Sequence, residues 1–115
     1  MGQTIVQKII AEHCDRKEVQ CGDIVYPRFD LAVISETPFF ELWEEVRSIG
    51  VDKMACPERT IVVADHEVPP PSVAAANRFR KTRELISRLG VKTLAAPGRH
   101  GIAPQYILEQ GYAVP

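Results

Sequence analysis

The sequence contains few cysteines, and their spacing fits none of the common metal-binding motifs. Cys14, Cys21 and Cys56 are irregularly spaced, and no two of them form a Cys-x-x-Cys pair. Zinc sites and iron–sulfur clusters built from local sequence usually contain such pairs, so neither is expected within this chain. An odd number of cysteines also gives no disulfide framework. We therefore expect three reduced thiols in a cytoplasmic protein.

Long apolar runs and a large excess of one charge are also missing. No stretch approaches the roughly 18 consecutive apolar residues that indicate a membrane span. The formal net charge is −1, which gives no reason to expect binding to nucleic acid. A local basic run is present: Arg78, Arg80, Lys81, Arg83 and Arg88. Such a run is typical of a solvated helix face, and we expect neither a nucleic-acid nor a membrane partner.

Segments with strand-like and helix-like patterns alternate along the 115 residues. The predicted strands are residues 24–26, 30–34, 60–64 and 91–95. The predicted helices are residues 4–14, a helix from Thr37-Pro38 to Gly50, residues 72–89 and a short helix near Pro104. Alternation of this kind predicts an α/β fold, a three-layer-like sandwich with a mostly parallel sheet flanked by helices. We treat residues 1–115 as a single α/β domain or a fragment of one.

Two features of this prediction concern packing. Asp30 to Ile34 is mostly apolar, so we expect a strand buried on both faces. Thr37 and Pro38 form a favourable helix start, a hydroxyl N-cap followed by proline at the first helical position.

An Asp-His pair follows the most apolar predicted strand. Residues 60–64 are rich in β-branched side chains and lead into Asp65-His66, and prolines follow at once. Ligands of open α/β sheets bind at the carboxyl ends of the strands, and a histidine beside a carboxylate is a common acid–base element. Adjacent residues in a strand point to opposite faces, so adjacency alone does not make the two side chains partners. A structural histidine that caps the turn at residues 69–72 is the alternative.

A second polar loop follows the last predicted strand. It reads Gly98-Arg99-His100-Gly101, and its glycines permit close approach of the backbone to a ligand. Arg99 can hold a carboxylate with two hydrogen bonds, and His100 can exchange protons. A plain surface loop remains the alternative.

Several motifs occur in an order that resembles the N-terminal portion of the aconitase superfamily, closest to the 3-isopropylmalate dehydratase large subunit. The most specific segments are Gly50-Val51-Asp52-Lys53, Pro57-Glu58-Arg59 and Asp65-His66-x-Val68-Pro69. The first residues, Gly2-x-Thr4-x-x-x-Lys8-Ile9, and the last, Gly111-Tyr112-x-x-Pro115, extend the resemblance from end to end.

The resemblance implies a hydro-lyase that removes water from a hydroxy-di- or tricarboxylic acid and adds it back at the neighbouring carbon, in leucine biosynthesis. In such enzymes a [4Fe–4S] cluster acts as Lewis acid on the substrate hydroxyl. The resemblance assigns catalysis to Asp65 and His66, which help to protonate and orient the leaving hydroxyl. Substrate contacts fall to four other residues: Arg99, His100, Gln105 and Glu36. The implied partners are the remaining large-subunit domains, a small swivelling-domain subunit and a small hydroxy-carboxylic acid.

The sequence departs from the family pattern at two places. Pro104 stands where the family usually has an active-site histidine, and Ser35-Glu36-Thr37-Pro38 replaces the family's His-Asp-x-Thr, although Glu36 keeps a carboxylate. The chain also reaches Pro115 before the family's cluster cysteines and serine base. We therefore expect no metal site and no activity in this chain alone, and apolar surface that leads to self-association or to cover by a partner. The alternative is a non-catalytic carboxylate-binding, regulatory or assembly module.

Overall fold

The computed structural model describes residues 2–113, which form two compact units, one up to Asp30 and one from Leu31 onward. Pro115, the last residue of the family resemblance, lies outside the described residues. Whether the chain acts as one domain or as a fragment of one stays a prediction. None of the helices within residues 2–113 is both long and apolar enough to cross a membrane.

The first unit contains one helix, α1 (Ile5–His13). Thr4 begins it with a capping box, in which the Thr4 hydroxyl accepts from the Gln7 backbone N–H and the Gln7 side chain accepts from the Thr4 N–H. This exchange satisfies two donors that the start of a helix leaves without partners, and the predicted helix is confirmed. Several apolar side chains of this helix are largely exposed, since Val6 is 59% and Ile9 is 51% accessible.

The predicted strand at residues 24–26 is wrong. Ile24 and Tyr26 are highly exposed, and the segment has no regular structure. A strand needs a hydrogen-bonded neighbour, and the described part of this unit contains no other strand. The segment is held at its end instead, where the Arg28 N–H bonds the His13 carbonyl and the Arg28 guanidinium pairs with Asp15.

The second unit is built on a three-stranded parallel sheet. Its strands are β1 (Ala32–Ser35), β2 (Thr60–Val63) and β3 (Thr93–Ala95), in the order β1-β2-β3. Its helices are α2 (Glu36–Ser48), α3 (Val73–Leu89) and α4 (Ala103–Glu109), with a 3-10 turn at Pro57–Arg59. The predicted α/β class and parallel sheet are confirmed.

Alternate residues of β2 divide the core into two layers. Val62 packs with Phe39 and Trp43 of α2 and with Leu85 and Ile86 of α3. Ile61 and Val63 point to the opposite face, where β3 and the apolar residues of α4 meet them. Successive side chains of a strand face opposite ways, so the fully buried β2 carries helices on both sides.

The prediction that the strand at residues 30–34 is buried on both faces is wrong. β1 lies at the edge of the sheet, and Val33 is 36% exposed. Val33 lies in register with Ile61, on the face where the seven-residue helix α4 packs. In the described structure no strand pairs with the outer side of β1, so the side chain of Val33 stays partly open at that edge.

The predicted start of α2 is displaced by two residues. The N-cap is Ser35 rather than Thr37, and Pro38 occupies the third helical position. Proline is tolerated there because the first backbone N–H groups of a helix have no intrahelical acceptor. The Ser35 hydroxyl makes no capping bond, because it donates instead to the carboxylate of Asp65, which follows β2.

The core predicts which helical leucine carries stability. Leu85→Ala should lower the free energy of unfolding by about 2–5 kcal/mol, because Leu85 is 2% exposed and the change leaves a cavity. Leu42→Ala is the matched control: Leu42 is 44% exposed on α2, and the loss should stay within about 0.5 kcal/mol. Urea unfolding measures both, and equal losses would contradict this core.

Candidate functional site

Polar side chains gather at the edge of the sheet where all three strands end. β1 ends at Ser35, β2 is followed by Asp65-His66, and β3 is followed by the loop at residues 98–101. Parallel strands place their carboxyl ends at one edge. The strand order therefore explains how residues 29 to 38 positions apart come to bond each other there.

Asp65 and His66 are direct partners. His66 Nδ1 lies 2.5 Å from Asp65 Oδ1. A carboxylate only accepts, so Nδ1 carries the proton and Nε2 is the ring atom available to a ligand. The two residues lie beyond the last residue of β2, where the alternation of the strand no longer separates them. Their burial differs sharply: the Asp65 side chain is 9% exposed and that of His66 is 67% exposed.

The alternative role of His66 as a turn cap finds no support in its bonds. The His66 ring bonds Asp65 and approaches the Ser35 hydroxyl at 3.2 Å. The turn at residues 69–72 leads into α3, whose start is capped by the Ser72 hydroxyl, which accepts from the Ala75 N–H.

The Asp65 carboxylate is held by three donors. Its Oδ1 accepts from Ser35 Oγ at 2.5 Å and from His66, and its Oδ2 accepts weakly from the Ala103 N–H at 3.4 Å. Burial alone would raise the pKa of Asp65, but the hydrogen bonds from Ser35 and His66 outweigh it and hold that pKa below its ordinary value. Asp65 is therefore an anion at neutral pH.

The same contact acts in the opposite direction on the imidazole. The hydrogen bond to Asp65, followed by the charge of that carboxylate, raises the pKa of His66 above 6.5. A larger fraction of His66 is thus protonated near neutral pH than for an isolated histidine.

Glu36 lies beneath the pair rather than beside an open surface. It is 4% exposed, and its two oxygens accept from the Asp65 N–H at 3.1 Å and from the Glu67 N–H at 3.3 Å. Its predicted contact with substrate is not tested by the structure, but a carboxylate in this position is directed at the backbone.

The other predicted substrate residues share one cleft. Arg99, His100 and Gln105 line a cavity of about 570 Å³ together with the stacked rings of Tyr106 and Tyr112. Arg99 and His100 are exposed, and the loop N–H of Gly98 donates to His100 Nδ1 at 3.0 Å. His100 Nε2 is therefore the nitrogen that bears hydrogen. This loop follows β3 and therefore lies at the same edge of the parallel sheet as His66, although the residue roles stay predictions.

Pro104 occupies the second position of α4, beside this cleft. Proline suits that position because the first N–H groups of a helix lack intrahelical acceptors. The preceding residue, Ala103, donates its N–H to Asp65. The start of α4 thus joins the cleft to the pair without contributing the histidine that the family usually has.

One member of the site was missed by sequence reasoning. In the sequence Ser35 is only a departure from the family pattern. In the structure its hydroxyl donates to Asp65 Oδ1 at 2.5 Å, the same distance as that of His66 Nδ1. A hydroxyl at the last residue of a strand parallel to the one before Asp65 was the available signal. To use that signal, the last residue of the strand must be known, and sequence patterns do not locate strand ends to one residue.

The donor set of the described residues does not fit an iron–sulfur cluster. Within residues 2–113, the group of three potential metal ligands is Glu36, Asp65 and His66, which contains no sulfur. Cys14 and Cys21 belong to the first unit, and Cys56 in the second accepts a hydrogen bond from Arg59. The oxygens of Glu36 already accept backbone N–H groups, so we assign no ion to this group either.

Comparison with known proteins finds relatives along the whole chain, although no family model matches it. The chain is 34% identical over 115 residues to the 3-isopropylmalate dehydratase large subunit of Aquifex aeolicus and 34% identical over 116 residues to that of Mycolicibacterium smegmatis. It is 32% identical over 114 residues to 3-isopropylmalate dehydratase large subunit 1 of Pyrococcus furiosus. At least 99% of this chain is covered in each case, but only 26–27% of the relative. The resemblance predicted from the sequence is confirmed, for a chain that spans about a quarter of these relatives.

The hydrogen bond between Asp65 and His66 predicts the titration of the imidazole. The pKa of His66, followed by nuclear magnetic resonance, should exceed 6.5 and should fall back toward that value in Asp65→Asn. Because folding raises the pKa of His66, its contact with Asp65 contributes fully to the free energy of unfolding at pH values below the pKa of the unfolded chain. That contribution is lost as the pH rises through the pKa of the folded chain. An unchanged pKa in Asp65→Asn would contradict the pairing.

Proposed function

We propose that this chain, which resembles the N-terminal portion of the aconitase superfamily and in particular the 3-isopropylmalate dehydratase large subunit, supplies one wall of a hydro-lyase active site. The reaction is the dehydration and rehydration of a hydroxy-di- or tricarboxylic acid. The observation that carries the proposal is the contact of a buried Asp65 with an exposed His66 at the edge of the sheet. The identity of the relatives supports the reaction class.

In this proposal His66 is the acid that protonates the departing hydroxyl. The Nε2 proton is the one free for transfer, because the Nδ1 proton stays with Asp65 and the side chain is exposed. The raised pKa of His66 keeps the imidazolium populated near neutral pH. A general acid works best when its pKa lies near the pH of the reaction. After the proton leaves Nε2, the neutral ring keeps its orientation because Asp65 still holds Nδ1. The reverse reaction, hydration, uses the same atoms in the opposite order.

The substrate is an anion, and the cleft beside the pair offers groups for its carboxylates. Arg99 can hold a carboxylate with two charge-assisted hydrogen bonds. His100 donates through Nε2, and Gln105, whose amide bonds Glu109 at 2.6 Å, lines the same wall. The acidic Glu36 would repel such a substrate, so we leave it out of this binding set.

The complete enzyme requires more than this chain. We propose that its [4Fe–4S] cluster is held outside this chain, by the remaining large-subunit domains. A small swivelling-domain subunit would complete the site, and the family's serine base, also outside the chain, would take the proton from the neighbouring carbon when the hydroxyl leaves. The cluster would supply a Lewis acid for the substrate hydroxyl. The chain alone would then be inactive, and the complete enzyme would be a cytoplasmic enzyme of leucine biosynthesis.

A non-catalytic module is the second candidate, and Pro104 favours it. This residue lines up with the family's usual active-site histidine, and a pyrrolidine ring cannot exchange protons. Such a module would bind a carboxylate through Arg99 or assemble with a partner, without turnover. Binding of 3-isopropylmalate with no conversion by the complete enzyme would favour this candidate over the hydro-lyase.

His66 should be required for turnover. In the assembled enzyme, with the remaining large-subunit domains and the small subunit, His66→Gln should lower kcat by about 10²–10⁴-fold, the usual contribution of a positioned acid. The measurement is formation of the unsaturated acid from 3-isopropylmalate. His13→Gln is the matched control, because the His13 ring bonds Ile9 and Asp30 within the first unit. Equal activity of His66→Gln and the unmodified enzyme would overturn the proposed role.

Arg99 should determine affinity rather than chemistry. Arg99→Ala should raise KM about 10- to 100-fold with a small change in kcat, since a hydrogen bond to a charged group contributes about 1.5–3 kcal/mol. Arg83→Ala, which removes an exposed arginine from α3, should leave KM unchanged. A KM unaffected by loss of Arg99 would place the carboxylate site elsewhere.

A further inference from the structure

We propose that Glu36 is a positioning residue for His66, which acts by fixing the backbone on both sides of the histidine. The inference rests on the proposed function and deepens it, because it assigns the buried carboxylate a task in that site. Glu36 does not contact the substrate in this proposal. It acts through Asp65 and His66.

The two oxygens of Glu36 span His66. Oε2 accepts from the N–H of Asp65 at 3.1 Å, and Oε1 accepts from the N–H of Glu67 at 3.3 Å. These two N–H groups belong to residues beyond the end of β2, where no neighbouring strand supplies acceptors in the described structure. One carboxylate therefore accepts from the backbone N–H groups of the two residues on either side of the histidine.

The position of Glu36 makes this hold rigid. Glu36 is the first residue of α2, directly after β1, so a strand and a helix fix its backbone. The helix is itself anchored, because Phe39 and Trp43 are 4% and 6% exposed in the core. The start of a helix also favours a negative charge through its dipole.

Burial of the Glu36 carboxylate makes hydrogen-bond donors around it necessary. A buried charge without partners is costly, and Glu36 meets this requirement through the two backbone donors and the Thr37 hydroxyl at 3.3 Å. The consequence for His66 is directional. Its ring is exposed, so little side-chain packing orients it, and its direction depends on the peptide groups around it and on Asp65.

Two substitutions separate positioning from charge. Glu36→Gln keeps the shape, but its amide nitrogen can only donate and therefore opposes one of the two N–H groups. Glu36→Asp keeps the charge but is shorter by one methylene, so it reaches only one of them. Glu67→Gln is the matched control, because it removes a carboxylate beside His66 that pairs with Arg78 and leaves the Glu67 N–H in place.

The first measurement is amide hydrogen exchange on the chain itself. Exchange at the Asp65 and Glu67 N–H groups should accelerate about tenfold or more in Glu36→Gln, and at one of them in Glu36→Asp, as expected for the loss of a bond to a charged acceptor. Exchange in Glu67→Gln should match the unmodified chain. Unchanged exchange in both Glu36 variants would overturn the inference, whatever the activity of the enzyme.

The second measurement is kinetics of the assembled enzyme. Both Glu36 variants should lower kcat by roughly 10²-fold, the cost of displacing a reacting group by about 1 Å, with KM changed less than about twofold. A raised KM with normal kcat would make Glu36 a substrate contact and overturn the inference. Normal kcat in Glu36→Asp would assign the effect to charge and also overturn it. If amide exchange is faster in the Glu36 variants but the unmodified assembled enzyme has no activity, the proposed function is refuted. The hydrogen bonds from the backbone to Glu36 would still be confirmed in that case.

Discussion

The parallel pairing of β2 with strands on both sides is the constraint on which the rest of the second unit depends. It buries Ile61, Val62 and Val63 completely and gives each face a helix layer to pack against. It also brings three separate chain segments to one edge, since the strands run in the same direction. Hydrogen bonds at that edge join Ser35, Asp65 and Ala103, which are distant in sequence.

The chemistry of this edge follows from a difference in burial between neighbours. Asp65 is enclosed and receives donors on both oxygens, so it remains an anion of fixed orientation. His66 is open to solvent and can exchange a proton through the nitrogen that Asp65 does not occupy. A cleft with an arginine lies on the same edge. Under the proposed function, His66 is the proton donor and this cleft receives the carboxylates of the substrate.

The chain corresponds to a part of the relatives that it matches. The chain covers 26–27% of their length, and the described residues bring no set of thiolates together. Under the proposed function, proton transfer and part of the carboxylate recognition reside in this chain, and the cluster resides elsewhere. Pro104 fits the start of α4 for reasons of backbone geometry. The chain thus keeps the Asp-His pair of the family pattern while departing from that pattern at Pro104.

Local patterns in the sequence determined most of the elements. We could predict the buried strand β2, the helix α3 and the parallel class from the sequence. Their signals are apolar periodicity, the N-cap Ser72 and the C-cap Gly90, all of which act within a few residues. The failures have a common cause. The segment at residues 24–26 has strand propensity but no partner strand in the described structure. The apolar sequence of β1 predicts burial, but its exposure depends on its place at the edge of the sheet.

The sequence by itself determined that Asp65 and His66 follow a buried strand, and the family resemblance suggested the catalytic role that is proposed for them. Only the tertiary structure decided that they bond each other, that Ser35 supports the carboxylate, and that Glu36 is directed at the backbone. The physical reason is that these contacts depend on strand order and register. Those properties are set by the packing of the whole sheet, and a change of one residue in register would turn each side chain to the other face.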